Sequence, residues 1–246
     1  MMESSRIRSI EERAFNAWPA LQTLALGGWL LNLSGSYTRR ANSISALAPS
    51  VPFQEVQQAA EAVFARHHLQ ATFRLSSLAA QEADFILHEA GYRSLDPSLV
   101  MTTAIESHDS PGAVRIAEAP EPDWLHGFAL AAAINSTHHS LHDAMISKIA
   151  LPAAFATVRE GGEPVAFGRG VYERGMIGIF DVIVAQEQRR RGHGRSITQA
   201  LLSWGRRIGA TEAYLQVNEH NEAARHLYAD LGFGESYHYH YRQRVS

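Results

Sequence analysis

The apolar run from Ile179 to Ala185 has the length and residue types of a buried strand, and it leads into Arg189-Arg190-Arg191-Gly192-His193-Gly194-Arg195. A buried strand that opens through such a turn into a helix is a site made for a diphosphate. Glycines let backbone N–H groups approach phosphate oxygens, the following helix presents its positive end, and arginines add charge and forked donors. The helix expected after the turn, beginning near Ser196, places Ile197, Ala200, Leu201, Trp204 and Ile208 on one face.

The composition narrows the partners. With 22 basic and 25 acidic residues in 246, no global field recruits nucleic acid or a membrane surface, so neither is an expected partner. The chain has no cysteine, which removes disulfides, thiolate metal sites and a thiol nucleophile together. Glu3, Arg6, Arg8, Glu11, Glu12 and Arg13 leave the start without an apolar signal region. No apolar stretch approaches the ~20 residues of a membrane span. A soluble cytoplasmic protein, monomer or homodimer, is the default expectation.

At this length one large domain or two small ones are possible. Glu106 to Gly112 reads as a linker between a domain over 1–105 and another over 113–246. After it the pattern gives a strand at Ala113 to Ala117, a helix at Pro122 to Asn135, and two strands, Phe155 to Arg159 and Pro164 to Tyr172. The strand Ile177 to Ala185 and the turn follow, then a strand at Ala213 to Val217, a helix at Asn221 to Asp230 stopped at Gly232, and a last strand at Tyr237 to Arg242. That last strand alternates Tyr237, Tyr239 and Tyr241 with His238 and His240, and Trp29, Trp124 and Trp204 read as core.

The first half echoes this order. Phe53, Val56, Ala60, Val63 and Phe64 make an amphipathic helix, Ala71 to Leu75 a strand, and Asp84 to Ala90 a helix ending at Gly91. A shift of about 142 residues lays these on the second half and sets Ser50 and Pro52 against Gly192 and Gly194, and a shift of 141 sets Leu87 against Tyr228. Pro52 has no N–H to give. Cofactor binding and chemistry are therefore expected in the second half alone, with the first half a partner that frames the substrate entrance.

Two motifs in the right order carry a resemblance. Arg189, Gly192 and Gly194 match the RxxGxG turn of the GCN5-related N-acetyltransferase superfamily, and Asn221, Ala224, Leu227, Tyr228, Gly232 and Phe233 match its NxxAxxLYxxxGF signature. Residues from about 113 to 246 resemble that superfamily, and the first half resembles a reduced copy. The resemblance implies an α+β fold of tandem units, each a mixed, mostly antiparallel sheet flanked by helices, with two splayed strands forming an acyl-CoA cleft. It implies acetyl-CoA as cosubstrate, no metal, and direct transfer to a primary amine, either a small molecule or a protein N-terminus.

By the same resemblance, the pantetheine arm pairs with backbone groups of Val182, Ile183 and Val184, with Asn218 across the gap. The diphosphate sits on N–H groups from Arg189 to Ser196, through Arg190, Arg191, Gly192, His193, Gly194 and Arg195. Tyr228 corresponds to the proton donor for the departing thiolate. Asn221 either contacts CoA or caps the helix that begins there. For the base, the residues leave open Asp181, a carboxylate inside an apolar run that needs a reason, Glu173, and the histidines of Thr137 to Asp143. A sensor that binds acyl-CoA without transfer is the alternative from another functional class.

Overall fold

The computed structural model describes residues 2–35, 37–106 and 114–244. In chain order the elements are α1 (Met2–Ala17), β1 (Gln22–Leu26), β2 (Trp29–Leu33), β3 (Ile44–Ala46), α2 (Phe53–Arg66), β4 (Thr72–Ser76), α3 (Ala83–Glu89), β5 (Tyr92–Ala104) and β6 (Val114–Ala117). There follow α4 (Pro122–Ala131), α5 (Ser136–Ile146), β7 (Ala153–Glu160), β8 (Glu163–Glu173), β9 (Met176–Val184), α6 (His193–Arg207), β10 (Glu212–Asn218), α7 (Glu222–Ala229) and β11 (Gly234–Arg244). The fold is α+β, with mostly antiparallel strand pairs and helices on the sheet faces. The chain forms two compact units, residues up to Val100 with 218–220 and Tyr237 onward, and residues 101–217 with 221–236. All of the expected linker except Glu106 lies outside the described residues.

In the first unit the strands lie in the order β1-β2-β3-β4-β11. The apolar face of α2, formed by Phe53, Val56, Ala60 and Phe64, is completely buried, with Phe53, Val56 and Phe64 each contributing about 1.5–3 kcal/mol. Phe53 packs between Trp29 and Phe73, with ring centroids 5.4 and 5.6 Å away. β11 lies antiparallel to β4, from Tyr239 opposite Ser76 to Gln243 opposite Thr72. From Tyr237 on, β11 falls in the first unit, where it lies beside β4.

Side chains hold β11 there on both faces. On one, Glu11 of α1 takes a bidentate contact from Arg74 and a 2.5 Å hydrogen bond from the Tyr237 hydroxyl, all buried, while the Arg74 guanidinium lies 3.7 Å from the Tyr239 ring centroid. Removing one member of such a buried pair typically costs 3–5 kcal/mol, since the other charge is left without compensation. On the other face Arg242 donates twice to Asp84, each bond 2.8 Å, and His240 is 2.6 Å from the same carboxylate. The Arg242 hydrogen bonds, with His240 adding to them, hold the Asp84 carboxyl down at about 2.

In the second unit the order is β10-β9-β8-β7-β6. Gly168 and Gly170 flatten one face of β8 so that Ile197 and Leu201 of α6 rest on its backbone, where an added Cβ would come within 2.3 Å of Ile197 and 3.3 Å of Leu201. Phe167, pointing the other way, meets Gly127 of α4. α6 thus covers one face and α4 the other. Trp29, Trp124 and Trp204 are buried, as expected.

Some boundaries differ from the sequence reading. The helix expected over Pro122 to Asn135 ends at Ala131, because Ala133 turns left-handed at φ 51°, and the Asn135 side chain then caps a second helix, α5, by accepting from the His138 N–H at 2.9 Å. The histidine segment is that second helix. α6 begins at His193 instead of near Ser196 and ends before Ile208, which is partly exposed. The order strand, helix, parallel strand, short helix occurs twice: β3 runs parallel to β4 through α2, and β9 parallel to β10 through α6.

Candidate active site

β9 and β10 pair in parallel only from Met176 opposite Glu212 to Ile179 opposite Leu215. Beyond that point β9 continues to pair with β8 on its other side, Ile183 with Phe167 and Val184 with Ala166. One edge of its last residues is left for an extended partner. The break has a local cause. Arg169 faces Phe180 and Phe167 faces Ile183, so Gly168 alone opposes both Asp181 and Val182. This is a β-bulge, and Asp181 within it has φ 56°.

Past β9 the chain makes one 3₁₀ turn at Gln186–Gln188, turns left-handed at Arg190 (φ 63°) and Gly192 (φ 85°), and enters α6. The N–H of Arg189 reaches the Gln186 carbonyl at 3.4 Å and that of Ser196 the Gly192 carbonyl at 3.0 Å. Among the described residues none accepts from the N–H groups of 190–195, which is the ordinary condition of a helix start and one that an anion can use. The donors are thus concentrated between the two ends of the segment that the sequence marked.

The side chains of the turn divide. Arg190 and Arg191 are exposed. Arg189 donates from Nε to the Val184 carbonyl at 3.3 Å, tying the turn back to β9. Arg195 bonds Asp230 at 2.7 Å, joining α6 to the residue after α7. His193 is buried, its Nε2 3.7 Å from Glu160. Beside the turn, between α4 and the end of β9, is a cavity of about 950 Å³ whose lining includes Asp123, Leu130, Arg159, Phe167, Ile183 and Arg189.

Tyr228 is buried on α7, its ring 6.0 Å from that of Phe233 in an edge-on contact. Burial alone pushes its phenol up to about 12. Among the described residues nothing hydrogen-bonds its hydroxyl. Asn221 caps α7, its Oδ1 accepting from the Ala224 N–H at 3.1 Å. Asn218, assigned to the first unit, bends the chain after β10 by accepting from the His220 N–H at 2.9 Å.

The three base candidates separate. Glu173 ends β8 opposite Met176, at the far end of β9 from the turn, roughly 25 Å away at strand rise. His142 is wholly buried and stacked on Phe128 at 4.8 Å, and burial lowers its pKa so that the imidazole is neutral. Asp181 lies in the bulge, its carboxylate accepting from Arg169 Nε at 2.8 Å with both side chains buried. The sequence reading missed Arg169. A lone arginine amid the glycines and apolar residues of β8 was the signal that could have found it. Among the described residues no group of three His, Asp or Glu side chains is arranged to hold a metal.

Comparison with known proteins gives the family. A family model described as probable histone acetyltransferase Rv0428c C-terminal matches residues 4–243. The uncharacterized N-acetyltransferase YobR of Bacillus subtilis is 27% identical over 242 residues, covering 96% of this chain and 98% of that protein. The probable histone acetyltransferase Rv0428c of Mycobacterium tuberculosis is 25% identical over 98% of this chain and 74% of its own length. Among solved structures, a GCN5-related N-acetyltransferase from Kribbella flavida superposes with a TM-score of 0.72 at 15% identity, covering 99% of this chain and 96% of that one. The chain belongs to the Rv0428c C-terminal family and is an acyltransferase of the GCN5-related N-acetyltransferase superfamily.

Proposed function

We propose that this chain transfers the acetyl group of acetyl-CoA to a primary amine within a ternary complex. The observation that carries the reading is the end of the β9–β10 ladder at Ile179 and Leu215, directly before a left-handed turn with unengaged N–H groups. The open edge of Val182, Ile183 and Val184 suits the amide-bearing pantetheine arm, and the N–H groups of 190–195, with Arg190 and Arg191 beside them, suit the diphosphate. Each charge-assisted bond there contributes roughly 1.5–3 kcal/mol. Asn221 acts mainly by capping α7 and so aiming Tyr228.

In the transfer the amine nitrogen bonds to the acetyl carbon, the carbon–sulfur bond breaks, the nitrogen gives its proton to water, and the sulfur gains one from Tyr228, whose phenolate takes a proton back from water. A phenol whose pKa is pushed up to about 12 is fully protonated at the pH of the reaction, so it has a proton to share with the sulfur as the carbon–sulfur bond breaks. The first half, in this reading, is a reduced copy of the same unit that binds no cofactor. Its counterpart of the turn leads into α2 through Pro52, which has no N–H.

Steady release of CoA from acetyl-CoA, followed with a thiol reagent over a panel of small amines, amino acids and peptide N-termini, tests the proposal. At least one amine is expected to raise the rate well above hydrolysis. Tight acetyl-CoA binding without turnover on any amine identifies a sensor instead.

A further inference from the structure

We infer that Arg169 and Asp181 are positioning residues that fasten the bulge in β9, and that Asp181 is not the base. The inference rests on the acetyl-CoA reading above. Arg169 is the β8 residue opposite Phe180, the last β9 position before the register slips, and Asp181 is the first position after it. Their 2.8 Å bond therefore spans the two strands where the ladder changes step. Asp181 holds a left-handed φ of 56°, a conformation uncommon for L residues that Asp adopts more readily than most.

The surroundings here are explicit. The Arg169 side chain is wholly buried, its guanidinium 5.0 Å from the centroid of the Phe180 ring, and that ring meets Tyr214 edge-on at 5.9 Å. From α5 the neutral His142 faces both Arg169 and Asp181 electrostatically, and Asp143 in turn lies 3.3 Å from the His142 ring. An Asp181 carboxylate that is 8% exposed and already accepts from a buried guanidinium is poorly placed to take an amine proton. What the pair does is set the direction in which Val182, Ile183 and Val184 leave the ladder. A misplacement of about 1 Å in such a segment can cost 10²-fold.

Asp181→Ala, Asp181→Asn, Arg169→Met and Arg169→Lys test this, each read by acetyl-CoA titration calorimetry and by the pH dependence of kcat. Asp181→Ala and Arg169→Met are expected to weaken acetyl-CoA about 10- to 100-fold, while the kcat–pH profile keeps its midpoint. Asp181→Asn retains the hydrogen bond and is expected to recover most of that affinity, as is Arg169→Lys. Full acetyl-CoA affinity in Asp181→Asn, with kcat down about 10²-fold or more and the acid limb gone, overturns the inference and makes Asp181 the base. Wild-type protein that binds no acetyl-CoA overturns the underlying reading, and this inference with it.

Discussion

Tyr228→Phe is expected to lower kcat about 10²- to 10⁴-fold, the range for a positioned proton donor, while KM for acetyl-CoA stays within about threefold. The ring is buried against Phe233, and phenylalanine preserves that contact. Stability should therefore change by less than about 1 kcal/mol, since no protein hydrogen bond to the hydroxyl is lost. The hydroxyl is the only part of the side chain with nothing to do inside the fold. With its phenol pushed up to about 12, this group should add no basic limb to the rate profile below about pH 11. An unchanged kcat, measured by CoA release with saturating amine, would return Tyr228 to the core.

The second large effect is at Gly192. A Cβ there meets nothing within 4 Å, so size is not the obstacle; the obstacle is φ 85°. A β-branched residue pays roughly 1–2 kcal/mol or more in that region, and the turn escapes by rotating the N–H groups of 190–195 away from one another. Losing one or two charge-assisted bonds of roughly 1.5–3 kcal/mol each means that Gly192→Val should weaken acetyl-CoA about 30-fold or more in a calorimetric titration. Gly194→Ala separates fold from ligand. Its φ is not left-handed and the nearest atoms to an added Cβ are 3.9 Å away, so the free protein should keep its melting temperature. Any loss of affinity in that variant reports the closeness of the phosphate itself. Unchanged affinity in Gly192→Val would move the diphosphate elsewhere.

Local pattern made α6, the turn and β9 legible before any coordinates. The apolar stripe of Ile197, Ala200, Leu201 and Trp204 has one partner face, and that face is buried. Pairing between distant segments was not legible in the same way. β11 binds β4, with the Gln243 amide donating to the Thr72 hydroxyl at 2.8 Å across 171 positions, and nothing local to either strand names the other. β5 went unread because Asp96 (φ 47°) and Pro97 interrupt its strand pattern, although the strand runs on through Ala104. The helix over Pro122 to Asn135 was read too long because Ala131, Ala132 and Ala133 favour helix, while the fold requires a turn there.

The site shows the same division. Gly192, Gly194 and Tyr228 stand in motifs close in sequence, and the structure gives them the conformation and burial described above. Asp181 was visible only as an oddity. Its explanation, Arg169, is a partner on another strand that pairing brings alongside, and the bulge that makes both necessary is a mismatch between two strands that no single strand displays.

The chain is expected to hold one acyl-CoA site, at the turn 189–195, and none in the first half. Calorimetric titration of the wild-type protein with acetyl-CoA measures it directly. The expected result is one molecule bound per chain, with the heat abolished or strongly reduced in Gly192→Val at the same concentrations. Two molecules per chain, or binding that Gly192→Val leaves intact, would contradict the account.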